Sequence, residues 1–353
     1  MSAAPASAPA GMDWNAYDLV VQMPHMAPGE KLSEVEFLKI IAACQWESIA
    51  RALGRRPPAI VNEANERLYG SVIDVELCLG ERHSMEILGE DANVRIANRV
   101  RFFAQKFVEG LFVIDDRDIP GELLSGVATR KDLAACGASW ACMTNAFIAR
   151  AGGNVRLKVF RPAGTEPGSV AELRETPYGI VEQGRVQATG ELEPLADDGS
   201  ALPLEPRSDA LIPYPIVPES DLNGAGLVYF ARFEAMMNYG ERIFLCERLG
   251  LPLSTELVAC LSTEHRRAFF FANASPSDTV RVHVSARYFP PGRFAAPPAG
   301  GPYRVPLKLL FRIDLYRSSD NMLMASSLVR KSLNVPGERA EGDLLLARDE
   351  RGA

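Results

Sequence analysis

In the run DLNGAGLVY (221–229) an acid, an amide and two close glycines lead into a long apolar stretch. Asn223 suits a helix N-cap, and Gly224 and Gly226 let a ligand or other backbone approach the first turn. A helix that starts beside a cleft offers unpaired N–H groups and the positive end of its dipole. Such donors hold a carbonyl oxygen as it becomes an oxyanion or an enolate. Asp221, Asn223 and Gly224 are therefore expected to contact substrate. His25, with Gly29 four residues on and a second helix shortly after, can touch substrate or move a proton. A plain loop histidine is the equally good alternative there.

Other chemistries lack their parts. No G-x-G-x-x-G follows a strand, and neither a phosphate-binding G-x-x-x-x-G-K-[ST] nor a G-x-S-x-G elbow occurs. The four histidines, His25, His83, His265 and His283, have no metal-type spacing with one another or with a cysteine pair. No metal and no cofactor is expected. The 353 residues suit two fused units, with 47% hydrophobic and 24% charged residues and a mean hydropathy of −0.04. No apolar run approaches the roughly 20 residues of a membrane span. The Ala/Pro/Ser-rich residues 1–13 read as a disordered leader without a signal-peptide core. Six cysteines without a C-x-x-C pair fit reduced thiols, so a cytoplasmic protein is expected.

The elements repeat. Ser33 and Glu36 form a capping box for a helix that ends at Gly54, and the apolar helix after Asn223 stops at Gly250 and Pro252. Phe230, Phe233, Met237 and Phe244 form one stripe of it, with Tyr229, Met236, Tyr239 and Ile243 around the rest, so it should be wrapped on most sides. Period-2 patterns predict strands at 67–79, 93–107, 110–115, 139–149 and 155–162, and again at 266–274, 279–289, 306–317 and 322–334. The expected organisation is a first unit at 14–162, a Pro/Gly/acid-rich connection at 163–217, a second unit at 218–334 and a tail at 335–353.

Asp221, Gly224 and Tyr229 resemble the entry to the central helix of hot-dog thioesterases, although Ala225 stands where those often have His. The resemblance implies an α+β double hot-dog fold, two antiparallel sheets each wrapped around a long central helix; two unrelated α+β domains are the alternative. MPHM before a helix opened by LSE, the pair Trp46 and Glu47, the pair Leu68 and Tyr69, and the DLNGAG…Y…NYGER block resemble the bifunctional acyltransferase/decarboxylases of leinamycin-type polyketide assembly lines. That resemblance implies decarboxylation of methylmalonyl-CoA and transfer of the propionyl group to the phosphopantetheine of an acyl carrier protein, with Tyr69 as the catalytic tyrosine.

Such chemistry needs no cofactor, because the thioester carbonyl is itself the electron sink. A phenol can donate a hydrogen bond to the enolate or protonate the carbanion. It can also accept the acyl group, although a pKa of about 10 makes it a poor nucleophile without help. Asn62 and Glu63 precede Tyr69 in a loop and can line the same cleft, with solvated turn residues as the alternative. Residues 223–334 hold 14 Lys/Arg against 8 Asp/Glu, which suits CoA phosphates or an acidic carrier face, with Arg266, Arg267, Arg281, Arg287 and Arg304 as candidates. The acidic whole, net −7, carries no nucleic-acid motif. A hydrolase using Asp221 as base or nucleophile, a catalytically empty scaffold, and a homodimer of the chain all stay open.

Overall fold

The computed structural model describes residues 14–80, 85, 88–135, 137–149, 158–195, 198–204, 209–224, 226–289 and 307–333. Its first half runs β1 (Asn15–Val20), α1 (Glu34–Ala52), β2 (Leu68–Cys78), β3 (Asn93–Phe103), β4 (Phe107–Asp115) and β5 (Ser139–Ala149). A connecting helix α2 (Tyr178–Thr189) follows. The second half runs β6 (Asp209–Pro215), α3 (Phe230–Leu249), β7 (Leu261–Phe270), β8 (Thr279–Tyr288), β9 (Leu307–Arg317) and β10 (Leu323–Leu333). Each half is thus an edge strand, a long helix and four more strands. The halves join in one antiparallel sheet of order β1-β3-β4-β5-β2-β7-β10-β9-β8, with β6 and the short strand Leu202–Pro203 both on β8. The order reads the same from either end, with β2 and β7 paired at the seam from His265↔Cys78 to Phe269↔Asp74.

The two long helices lie on the same face and share one core. Leu38 and Ile41 of α1, Phe233, Met237 and Phe244 of α3, and the strand residues beneath them form one buried cluster. α1 begins as its capping pattern predicts: the Ser33 hydroxyl accepts from the Glu36 N–H. α3 ends in the left-handed cap at Gly250, φ 63°. In mid-helix, Gly240 lets α3 approach β8 so closely that a Cβ there would lie 2.4 Å from Val282 Cγ1.

Two sequence expectations are corrected. α3 starts at Phe230, with Tyr229 at the N-cap, and not at Asn223. Leu222 and Val228 instead form a bridge that closes a tight turn, in which the Asn223 Oδ1 accepts from Leu227 N–H and the Asn223 carbonyl from Gly226 N–H. Asn223 spends its capping capacity on that turn. The connection 163–217 also holds more structure than its composition suggested. Its last residues are the edge strand β6, paired with β8 from Thr279↔Pro215 to Ser285↔Asp209, so the second unit starts before residue 218. Pro213 and Pro215 restrict that strand to an edge, where missing N–H donors do no harm. α2 crosses the outer face of the seam: its Tyr178 ring lies under the guanidinium groups of Arg130 and Arg267, 3.7 Å and 5.5 Å from the centroid, and Gln183 donates to the Phe270 carbonyl. The strand expected at 155–162 does not form where it is described: residues 158–162 make only isolated bridges, Val159 to Ile148 and Pro162 to Asn62, and residues 155–157 fall outside the described residues. Among the described residues no helix is long and apolar enough to cross a membrane. The cysteines Cys44, Cys142, Cys246 and Cys260 are free thiols.

Candidate active site

A cleft of about 640 Å³ opens where the two halves meet. Its walls are the middle of α1 (Ala42, Gln45, Trp46), the start of β2 (Arg67 to Val72), the end of β5 (Asn145, Ile148), the turn before α3 with its first residues, and Phe270 to Asn273 at and beyond the end of β7. The volume is that of an ordinary small-molecule site, and apolar side chains with a few fixed polar groups are its usual lining.

Each wall has a local cause. Gly70 leaves β2 without a side chain where Trp46 and Asn145 approach: a Cβ there would stand 3.1 Å from the indole and 3.3 Å from Asn145 Nδ2. Asn273 fixes the turn before α3 by a reciprocal pair of bonds to the Val228 backbone, 2.7 Å from its N–H and 3.2 Å to its carbonyl. Among the described residues no side chain caps the first turn of α3, which faces the cleft through Tyr229, Phe230 and Phe233. Burial pushes the Tyr229 hydroxyl up to about 12, with Glu36 adding to it, so this phenol stays protonated.

Tyr69, half-buried on β2, lines the cleft, and its hydroxyl has no hydrogen-bond partner among the described residues. Arg67, exposed at the rim, stacks its guanidinium 5.2 Å from the Tyr69 ring centroid. Among the described lining residues Arg67 is the one charged side chain; none is Asp, Glu, His, Lys or Cys. Asn223 and Gly224 also line the cleft. Three expected site residues do not. Asp221 is fully buried and held by Arg232 at 2.9 Å, the Val217 N–H at 2.8 Å and the Tyr214 hydroxyl at 3.2 Å. Such a carboxylate ties β6 to α3 and is not available as a base. Asn62 accepts from the Ala64 and Glu66 N–H groups and donates to the Glu66 carboxylate, closing its own turn. His25 accepts from the Gln22 N–H through Nδ1 and shapes the loop that enters α1. Ala225 and Arg304 fall outside the described residues.

Gln45 and Asn145, passed over in the sequence, form the polar end of the cleft. Gln45 Nε2 donates to Asn145 Oδ1 at 2.5 Å and to the Met143 carbonyl at 3.2 Å. An Asn in the mostly apolar strand SWACMTNAFIA was the available signal.

The repeat generates a counterpart. A cavity of about 200 Å³ lies between the middle of α3, the start of β7 and the entry to α1, and is lined by Lys31, Glu34, Asn238, Glu241, Arg242 and Lys331 among others. Gln45 and Glu241 are each the twelfth residue of their helix. Where Gln45 meets Asn145 of β5, Glu241 pairs with Lys331 of β10. Behind it the fully buried Arg266 binds Glu34 at 2.6 Å, Glu234 at 2.9 Å and Glu241 at 3.2 Å. Arg266 is therefore internal wiring and no phosphate ligand. Arg267 is likewise buried, on the opposite face, with Glu76. Burial would raise the carboxyl of Glu34, but Arg266 and Lys331 outweigh it and hold it down to about 2. Glu234 goes the other way: burial, with Glu34 and Glu241 adding to it and Arg266 opposing, pushes it up to about 7. Among the described residues no group of three or more His, Cys, Asp or Glu is arranged to hold a metal.

No protein-family model and no curated protein sequence matches the chain. Solved structures do. An acyl-ACP thioesterase from Bacteroides thetaiotaomicron superposes with a TM-score of 0.50 at 11% identity, over 90% of this chain and 98% of its own. A protein described as an oleoyl thioesterase from Lactobacillus plantarum gives 0.55 at 12% identity, over 94% and 99%. At such identities the likeness speaks for architecture alone, and on that point it agrees with the repeated order of strands and helices: this chain has the double hot-dog α+β fold.

Proposed function

We propose that the chain is an acyl-thioester enzyme that decarboxylates methylmalonyl-CoA and passes the propionyl group to the phosphopantetheine thiol of an acyl carrier protein. The observation that carries the reading is the make-up of the cleft: a tyrosine hydroxyl without a partner among the described residues, amides, one rim arginine, and no acid or histidine among its described lining. Thioester chemistry suits a fold whose similar structures are described as an acyl-ACP thioesterase and an oleoyl thioesterase. Hydrolysis asks for a base or nucleophile near the carbonyl, and the carboxylate expected to serve, Asp221, is locked in its ion pair with Arg232.

Loss of CO₂ asks for something else. The bond between the α-carbon and the carboxylate breaks, and its electron pair moves into the thioester as an enolate. A wall of apolar side chains and neutral amides solvates the carboxylate poorly in the ground state, while fixed donors stabilise the charge once it reaches the carbonyl oxygen. Arg67 at the rim pairs with an anionic part of the substrate. Tyr69 donates a hydrogen bond to the enolate and supplies the proton that the α-carbon takes up, water at the open mouth restoring it. The carrier thiol then adds to the propionyl carbonyl, and CoA leaves as its thiol. Direct acylation of Tyr69 is the second route, and a trapped acyl-tyrosine would reveal it.

Intact-mass analysis of a holo acyl carrier protein incubated with the enzyme and methylmalonyl-CoA tests the proposal. A propionyl adduct supports it. A methylmalonyl adduct means transfer without decarboxylation, free acid with an unmodified carrier means a thioesterase, and no consumption removes this substrate.

A further inference from the structure

We propose that Asn145 is the donor that holds the thioester oxygen as the enolate forms, and that Gln45 is the positioning residue that turns its amide nitrogen toward the cleft. The inference rests on the decarboxylase reading and adds to it a donor besides Tyr69.

The orientation follows from a chain of acceptors. The Met143 carbonyl can only accept, so the Gln45 atom 3.2 Å from it must be the amide nitrogen. The same nitrogen lies 2.5 Å from Asn145, whose facing atom must therefore be Oδ1. That leaves Asn145 Nδ2 on the other side, over the bare Cα of Gly70, where a Cβ would stand 3.3 Å from it. Asn145 is 6% exposed and lines the cleft, and its Nδ2 has no partner among the described residues. That donor opens on the cleft, where a bound molecule can accept from it. The Gln45 side chain is fixed in turn: its Oε1 occupies the place a side chain at Gly110 would take, 2.0 Å from that Cβ position.

The counterpart cavity argues that this neutral pair is not a folding requirement. Glu241 and Lys331 make the same helix-to-strand bridge with full charges. A lysine in place of Asn145 would stabilise the substrate carboxylate before it leaves, which lowers the ground state along with the transition state. An amide N–H aimed at the carbonyl oxygen gains strength as charge arrives there.

The test is steady-state formation of propionyl-CoA from methylmalonyl-CoA by the full chain and three variants. Asn145→Asp keeps the bond from Gln45 but presents oxygen to the cleft. Asn145→Ala removes the donor. Gln45→Glu turns the bridge around, since a carboxylate must accept from the Asn145 amide and so points its oxygen into the cleft. Each is expected to lower kcat by about 10²- to 10³-fold, the usual loss for one oxyanion donor, with KM and the affinity for propionyl-CoA, measured by calorimetry, within about threefold of wild type. Thermal melting identifies any variant that fails to fold, and those that fold decide. If folded variants keep kcat within threefold, or lose only affinity, Asn145 has no such role. If the wild type forms no propionyl-CoA at all, it is the decarboxylase reading that fails.

Discussion

Glu241 holds in α3 the place that Gln45 holds in α1, yet Gln45 binds an asparagine at the wall of an open cleft and Glu241 binds a lysine inside a closed ion network. Among the described residues the quasi-twofold arrangement is therefore expected to offer one usable site. The counterpart has about 200 Å³ against about 640 Å³, and its Glu34, Glu241 and Lys331 are already engaged in ion pairs with one another and with Arg266. One acyl-CoA per chain is expected to bind. Calorimetry with propionyl-CoA reads the number directly, and two equal sites per chain would contradict the asymmetry.

Tyr69→Phe separates function from folding. The hydroxyl has no partner to lose among the described residues, so its removal should strand no buried group and the melting temperature should stay within a degree or two. Turnover of methylmalonyl-CoA should fall by about 10²-fold or more, the range for a positioned proton donor. A variant that turns over normally would remove Tyr69 from the mechanism, and one that melts much earlier would show the hydroxyl to be structural.

The sequence made the repeat legible because strands and wrapped helices write themselves in local periodicity. Ser33 and Glu36 mark the start of α1, and the stripe Phe230, Phe233, Met237 and Phe244 is buried as its spacing requires. The start of α3 was misread because the evidence is nonlocal: Asn273, 45 residues downstream, clamps Val228 and helps make 222–228 a turn. β6 was hidden by its prolines, which signal a loop until the edge of a sheet is known to be waiting. Asp221 and Asn62 have the right chemistry for a site but are consumed by neighbours that no pattern in the chain announces. Gln45 and Asn145 are ordinary apart; only the approach of α1 to β5 makes them a pair.

Gly240→Ala should destabilise the protein, although alanine is the better helix former. In an exposed helix the exchange gains about 1 kcal/mol. Here the new Cβ would stand 2.4 Å from Val282 Cγ1 and 3.1 Å from Val284 Cγ2, both on buried β8 residues that cannot swing aside. Overpacking of this kind costs about 1–3 kcal/mol, so the net change in urea unfolding should be a loss. A gain would mean that α3 can lift from β8.

The buried carboxylates around Arg266 give stability a pH dependence of two signs. Glu34, held down to about 2, contributes stability above its unfolded value of 4.5 that is lost as pH falls toward 2. Glu234, pushed up to about 7, does the reverse: the folded chain keeps a proton that the unfolded chain releases near 4.5, so stability falls as pH rises from 4.5 to 7 and then levels. Glu234→Gln removes that second slope, because a neutral amide has no proton to lose. Urea midpoints of wild type and variant, taken between pH 5 and pH 8, should therefore diverge in the variant's favour as pH rises. Parallel curves would mean that Arg266 keeps Glu234 ionised throughout and that the network carries three full negative charges against its two cations.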